Sequence, residues 1–302
     1  MKQVYPYLKT TLRPITDLEF SRFQKLIYQA AGIHLAPHKR ALLEARLSKR
    51  IRALGLDSFD AYYKLVVGAE TGDELIRLLN HISTNETRFF REPKQLEFLE
   101  HEVFDEWRAR AAMGLMPKRI RLWSAGCASG EEAYSIAMLL LDKLPRHNGW
   151  DVEILATDLS TRSLEIAHEG IWPIVKAQEI PEKYLKLYMW RGTGAQDGMM
   201  KAGAEIRSLI HFERLNLNDQ RYPISGRFDA IFCRNVLIYF DTSSRARVID
   251  RLIDRLTPAG YLFVGHAESL SGVTDRAQHV LPTIYRATPN EFPRRAAGDS
   301  KL

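Results

Sequence analysis

The stretch Ile120-Arg-Leu-Trp-Ser-Ala-Gly-Cys-Ala-Ser-Gly-Glu-Glu-Ala-Tyr-Ser-Ile-Ala137 constrains the fold more than any other part of the chain. An apolar strand, Ile120 to Trp123, breaks into a turn of small residues that contains Gly126 and Gly130. The turn opens a helix whose apolar positions recur through Tyr134, Ile136, Ala137, Leu140 and Leu141. Strand, glycine turn and helix in that order form the corner where α/β proteins bind nucleotide-like ligands. Phosphate is a poor fit, because no Walker lysine is present and Glu131 and Glu132 put two carboxylates at the helix start. Acids there suit the positive end of the helix dipole, yet they repel phosphate and attract a cation or a hydroxyl donor. A ligand with a ribose, an amino group and a positive charge satisfies these conditions, and S-adenosylmethionine has all three.

A chain of 302 residues holds one large domain or two modest ones, with enough length to bury a real core. Its 45% hydrophobic and 26% charged residues are those of a globular protein, so disorder is not the default. No apolar run reaches the ~18–20 residues needed to span a bilayer, so direct membrane insertion is not expected. Met1 to Pro14 carries no apolar signal core, which argues against secretion. Cys127 and Cys233 are the only cysteines and suggest no disulfide framework. The histidines are scattered, with neither H-E-x-x-H nor a Cys/His cluster, so no metal is expected. A cytoplasmic monomer is the expectation. The net charge of +6 allows an acidic protein surface or a nucleic acid as partner and decides between neither.

The first eighty or so residues read as helices only. Thr16 and Glu19 form a capping box for a helix that ends at Gly32. Further helices are expected over about His38–Leu54, from Ser58 to Gly68, and over roughly Thr71–Ile82. Residues 1–84 are therefore expected to form a small helical domain, and 85–302 the second domain. Residues 85–92 form a polar linker, and Pro93 opens a long helix to about Met113. Strands are expected at Ile120–Trp123, Val152–Thr157, Ile210–Leu215, Phe228–Cys233 and Gly260–Val264. Helices near Glu131–Leu144, Ser160–His168 and Ser243–Leu256 alternate with them, which means a doubly wound, mostly parallel Rossmann-like sheet. His279–Ala287 could return as an antiparallel edge strand. The glycine-rich stretch at about 189–209 breaks the rhythm and reads as an inserted β-subdomain.

Several residues could carry chemistry. Asp158 ends the second strand, where a carboxylate can accept from both ribose hydroxyls, or can cap the next helix. Asn216 and Leu217 follow the third strand and could flank an adenine ring, or simply cap a loop. Arg234, Asn235 and Tyr239 lie at or after the end of the fourth strand, beside the topological switch point. No Asn/Asp-Pro-Pro-Tyr motif is present there, which weighs against methylation of nucleic-acid bases. In Asn85-Glu-Thr-Arg-Phe-Phe-Arg-Glu92 the paired phenylalanines read either as a lid over the ligand or as core anchors of a connector. Lys39, Arg46, Lys49 and Arg50 line one side of a helix, either as an ordinary solvated face or as a dock for an acidic helical partner.

Taken together, Asn85–Arg91, Trp123–Glu132, Ala156-Thr-Asp158, Asn216-Leu217, Phe232–Asp241 and Leu262–Ser269 occur in one order. The series resembles the bacterial chemotaxis receptor glutamate O-methyltransferases, the CheR family, from about Leu18 to Arg286. The resemblance implies transfer of the methyl of S-adenosylmethionine to glutamate side chains of chemoreceptor cytoplasmic helices, with S-adenosylhomocysteine as product and no nucleic acid as partner. It implies cofactor contacts at Asn85, Thr87, Arg91, Gly126, Glu132, Asp158, Asn216, Leu217, Arg234 and Asn235. Arg91 and Tyr239 would lie nearest the transferred methyl. The basic helix, through Lys39, Arg46, Lys49 and Arg50, would face the receptor, and the β-subdomain could hold a receptor C-terminal peptide. Ala133 stands where the family often has proline, and Ala128-Ser129 where Ser-Thr is frequent.

Overall fold

The computed structural model describes residues 12–69 and 72–288. The chain divides into two compact units, with the boundary between Thr84 and Asn85. The first is helical: α1 (Asp17–Ala31), α2 (Arg40–Ala53), α3 (Phe59–Gly68) and α4 (Asp73–Ile82). Thr16 and Glu19 cap α1 reciprocally, and Gly32 closes it at φ 70°. Ser58 caps α3 by accepting from the Ala61 N–H. Pro37 opens a short 3₁₀ turn, so α2 proper starts at Arg40 rather than near His38. Phe20, Phe23, Ile27, Leu43, Leu47, Ile51, Tyr62, Leu78 and Ile82 fill the core of this unit.

In the second unit, α5 (Pro93–Phe98) and α6 (Phe104–Ala112) form one helical run interrupted by a π turn at Leu99–Val103. There follow β1 (Arg119–Ala125), α7 (Glu131–Lys143), β2 (Asp151–Asp158), α8 (Thr161–Glu169) and β3 (Ile171–Pro173). Next come α9 (Glu182–Tyr188), β4 (Met189–Arg191), β5 (Met199–Ala202), α10 (Ala204–Arg207) and β6 (Ile210–Arg214). The unit closes with β7 (Phe228–Cys233), α11 (Thr242–Asp254), β8 (Leu256–Val264), β9 (Ala277–Leu281) and β10 (Ile284–Ala287).

The main sheet runs β6-β2-β1-β7-β8-β10-β9. The first five of these strands are parallel, and β10 pairs antiparallel with both β8 and β9. The stretch 279–287, expected as one edge strand, thus belongs to a hairpin whose turn places Thr283 at φ 65°. Chain order reverses between β1 and β7, so their carboxyl ends open the crevice where ligands bind in such sheets. Period-two alternation splits the apolar residues between the two faces. Ile120, Leu122, Ala230 and Phe232 join one core, while Trp123, Ala125, Ile231 and Cys233 join the other.

A second, three-stranded antiparallel sheet has the order β3-β5-β4. It begins upstream of the stretch 189–209, because Ile171–Pro173 supplies an edge and buries Trp172. The downstream end of that stretch is not strand: Ala204–Arg207 is a helical turn. Among the described residues, no helix is long and apolar enough to cross a membrane.

Candidate functional site

β1 leaves the sheet at Gly126, whose φ of 98° suits glycine alone. A Cβ there would come within 2.4 Å of Val236 Cγ2, so the turn can pass the end of β7 only without a side chain. The Gly126 and Cys127 N–H groups donate to the Thr157 carbonyl at 2.7 and 2.9 Å. Ala128, at φ 48°, donates its N–H to Asp158 Oδ2 at 2.9 Å. Oδ1 of Asp158 accepts from the Ser160 N–H at 2.8 Å, and Ser160 itself caps α8. Asp158 is therefore a buried carboxylate that braces the glycine turn. Burial raises its pKa, against the opposing pull of the Ser160, Ala128 and Leu159 N–H groups. Each of its oxygens keeps further lone-pair capacity for an incoming hydroxyl.

The two glutamates that open α7 are both paired, with partners far apart in sequence. Glu132 accepts from Ser124 Oγ at 2.6 Å and from Arg234 Nε at 2.6 Å. Arg234 also donates to the Arg91 carbonyl at 2.7 Å and to Gln95 Oε1 at 3.3 Å. The Gln95 amide nitrogen continues the chain to the Val264 carbonyl and Thr283 Oγ1. Glu131, fully buried, accepts from Ser129 Oγ and is ion-paired with Lys176. Lys176 also donates to the Thr87 carbonyl at 3.2 Å. Lys176 and Gln95 were invisible to sequence reasoning, since each acts on groups tens of residues away.

The linker is pinned along its length. Asn85 donates to Ser163 Oγ at 2.6 Å. The Phe89 N–H donates to Glu179 Oε2, and its ring meets Trp172 edge-on at 5.1 Å. The Phe90 N–H donates to Ser135 Oγ, and its ring stacks on Tyr184 at 5.5 Å. Both phenylalanines are thus anchors, and the lid reading is set aside. Phe90 and Glu92 hold positive φ values of 50° and 58° on either side of Arg91, which is half-buried and donates to the Glu86 carbonyl.

Beyond β6, Asn216 Oδ1 accepts the Asn218 N–H at 3.0 Å, so a side-chain turn caps this loop. Leu217 is buried in the same core as Trp123 and Leu215. At the end of β7, Asn235 sits at φ 60°, and its Oδ1 is buried with no hydrogen-bond partner among the described residues. A 3₁₀ turn, Leu237–Tyr239, follows and carries the half-buried Tyr239. An orphaned acceptor, a carboxylate with spare lone pairs and a glycine cradle together fit a ligand that brings hydroxyl and amino donors.

In the helical unit the basic stripe on α2 is smaller than its sequence suggests. Arg50 forms a two-pronged pair with Glu74 at 2.9 and 2.7 Å, and Arg46 donates to the Ile82 carbonyl and Thr84 Oγ1. α4 packs beside α2 and, with Thr84 just beyond its end, supplies these acceptors, so Arg46 and Arg50 are not freely presented. Lys39 and Lys49 are exposed.

The family model for the all-alpha domain of CheR methyltransferases matches residues 18–83, and that for the CheR S-adenosylmethionine-binding domain matches 85–285. The chain belongs to the CheR methyltransferase family. It is 37% identical over 275 residues to the chemotaxis protein methyltransferase of Borreliella burgdorferi, covering 90% of this chain and 95% of that one. It is 39% identical over 273 residues to that of Salmonella typhimurium, covering 90% of each. As a CheR family member the chain is an S-adenosylmethionine-dependent methyltransferase, and its Rossmann-like sheet and all-helical N-terminal part are those of the family. Among the described residues, no group of three or more His, Cys, Asp or Glu side chains could hold a metal.

Proposed function

We propose that this chain methylates glutamate side-chain carboxylates on the cytoplasmic helices of chemoreceptors, giving methyl esters in chemotactic adaptation. One observation above all supports a carboxylate acceptor. Glu131, Glu132, Asp158 and Glu268, the buried acids around the strand ends, are all engaged in internal hydrogen bonds. None is free to serve as a general base. An acceptor glutamate needs none, because its unperturbed pKa of about 4.3 leaves it ionised at neutral pH.

S-adenosylmethionine, when bound, supplies an electrophilic methyl group on a sulfonium. Asp158 would take the ribose hydroxyls, and Glu132 the region near the amino acid end. Asn85, Thr87, Gly126, Asn216, Leu217, Arg234 and Asn235 would complete the cofactor wall. Arg234, being spent on Glu132, Arg91 and Gln95, acts chiefly by holding its neighbours. Arg91 and Tyr239 would strip water from the acceptor carboxylate and orient it; positioning of this kind can supply ~7–11 kcal/mol of a barrier. Arg91 must hold the anion loosely, since over-stabilising the ground state slows transfer. Lys49 on α2 and Lys39 just before it are exposed cations that could meet acidic receptor helices, and the β3-β5-β4 sheet is where a receptor tail peptide could be held.

The test is incubation with methyl-labelled S-adenosylmethionine and receptor-containing membranes, followed by mild alkali. Label released as methanol from receptor bands is the expected result. Stable label on nucleic acid, or no label on receptors known to be competent, would overturn the proposal.

A further inference from the structure

One buried acid lies outside every role assigned so far. Glu268 follows β8 in Gly265-His-Ala-Glu268 and is 2% exposed. Among the described residues its carboxylate pairs with no cation; it accepts backbone N–H groups instead. Oε2 takes Gly265 at 2.6 Å and Asn235 at 2.9 Å, and Oε1 takes Ile238 at 3.1 Å. The Glu268 N–H closes the loop on the Gly265 carbonyl at 2.8 Å. Two of these donors, Asn235 and Ile238, belong to the turn that ends in Tyr239.

That turn needs holding. Asn235 occupies the left-handed region at φ 60°, a conformation that costs energy for a residue with a Cβ and persists where its surroundings over-determine it. Gly265 is part of the brace. A Cβ at Gly265 would lie 2.6 Å from the Asn235 nitrogen and 2.7 Å from Glu268 Oε2, so the two loops approach more closely than any side chain permits. A carboxylate that accepts several backbone N–H groups is a strong, charge-assisted clamp.

We infer that Glu268 is a positioning residue, fixing the Asn235–Tyr239 turn in the conformation that methyl transfer requires. The inference rests on the proposed reaction and on the placement of Tyr239 beside the acceptor. Displacing a positioning group by about 1 Å can cost ~100-fold in rate, so loosening this turn should register in turnover.

Glu268→Gln keeps the shape but replaces one acceptor oxygen with an NH₂ group, so at least one backbone N–H faces another donor. The expected result is a fall in kcat of about tenfold or more, with a smaller loss in S-adenosylhomocysteine affinity, since Asp158 and Glu132 lie off the turn. Amide hydrogen exchange should quicken at Asn235 and Ile238 while the interiors of β7 and β8 stay protected. Glu268→Asp, which keeps the charge and both acceptors, should recover part of kcat. Gly265→Ala, a separate perturbation of the same brace, should reproduce the kcat loss.

A Glu268→Gln protein as active as wild type overturns the inference while leaving the reaction intact. So do Gln and Asp variants that lose melting temperature together and keep kcat per folded molecule, because that is a merely structural role. Wild-type protein that puts no alkali-labile label on competent receptors overturns the reaction, and this inference with it.

Discussion

Glu19 in the helical unit and Asp158 at the end of β2 are both buried carboxylates that accept backbone N–H groups, yet their pKa values move in opposite directions. Burial pushes Glu19 up, but the Arg13 guanidinium, with the Thr16 N–H and hydroxyl, outweighs it and holds the group at about 2. Burial also pushes Asp158 up, and there the backbone N–H groups only partly offset it. Glu268 behaves as Asp158 does, for the same reason. The difference is a cation. The helical unit completes its own ion pairs, as Arg50 does with Glu74. Among the described residues Asp158 and Glu268 have no such partner, which leaves Asp158 able to gain from ligand donors. Glu132 is buried like Asp158 but is paired with Arg234.

The largest effect is expected where burial and pairing coincide. Arg234→Met leaves Glu132 buried without its cation and frees the Arg91 carbonyl. Removing one partner of a buried pair costs about 3–5 kcal/mol. Chemical denaturation should show a loss on that scale, and adding Glu132→Gln should return part of it. If Arg234→Met costs no more than Arg13→Met, whose ion pair is half-exposed, burial is not what separates the two regions.

Next comes the cofactor. Asp158→Ala should weaken S-adenosylhomocysteine by about 1.5–3 kcal/mol, the worth of hydrogen bonds to a charged group, as read by calorimetry. Tyr239→Phe should instead lower kcat and leave that affinity unchanged. The pH dependence separates the regions further. A carboxyl whose pKa is raised on folding binds more protons folded than unfolded, so its contribution to stability falls as pH rises from about 4 through the raised value. Without ligand, Asp158→Asn should therefore flatten the decline in melting temperature of the wild type over that window. An unchanged slope would mean that Asp158 is not the group responsible.

Much of this was legible in the chain because its signals are local. β1, β2 and β7 each turn mainly apolar toward their carboxyl ends, and the capping box of α1 needs only Thr16 and Glu19. The strand-end positions of Asp158 and Asn235 follow directly from where those runs stop. What escaped notice is non-local or too short to carry a pattern. Lys176 meets Glu131 across 45 residues, and Gln95 meets Arg234 across 139. Ile171–Pro173 is too brief, and too marked by proline, to announce a strand. The charges of α2 misled for the same reason. Nothing in that helix says that α4 will lay Glu74 against Arg50.

A smaller effect follows from that packing. Arg50→Glu sets two acids together, and its loss should destabilise the helical unit by about 1–3 kcal/mol. Lys39→Glu and Lys49→Glu should leave its stability within about 0.5 kcal/mol and raise only the KM for receptor. The contrast sharpens the proposed docking role, because a rise in receptor KM with Arg50→Glu alone would report misfolding rather than recognition. Unchanged KM in the lysine variants would return the whole stripe to a solvated face.

The smallest effect expected belongs to Glu19. Its folded pKa lies below the unfolded one, so its contribution to stability is complete above about 4.5 and is lost as pH falls through about 2. That is the reverse of Asp158, in a lower pH window. Arg13 is half-exposed, so salt screens the pair and the amplitude is modest. Glu19→Gln should therefore lower the melting temperature slightly at pH 6, and the gap to wild type should close toward pH 2. The same variant in high salt should show a smaller gap at pH 6. A gap that persists at pH 2 would assign the loss to the capping geometry at Thr16 rather than to the charge, and the contrast with Asp158 would then rest on the strand-end acids alone.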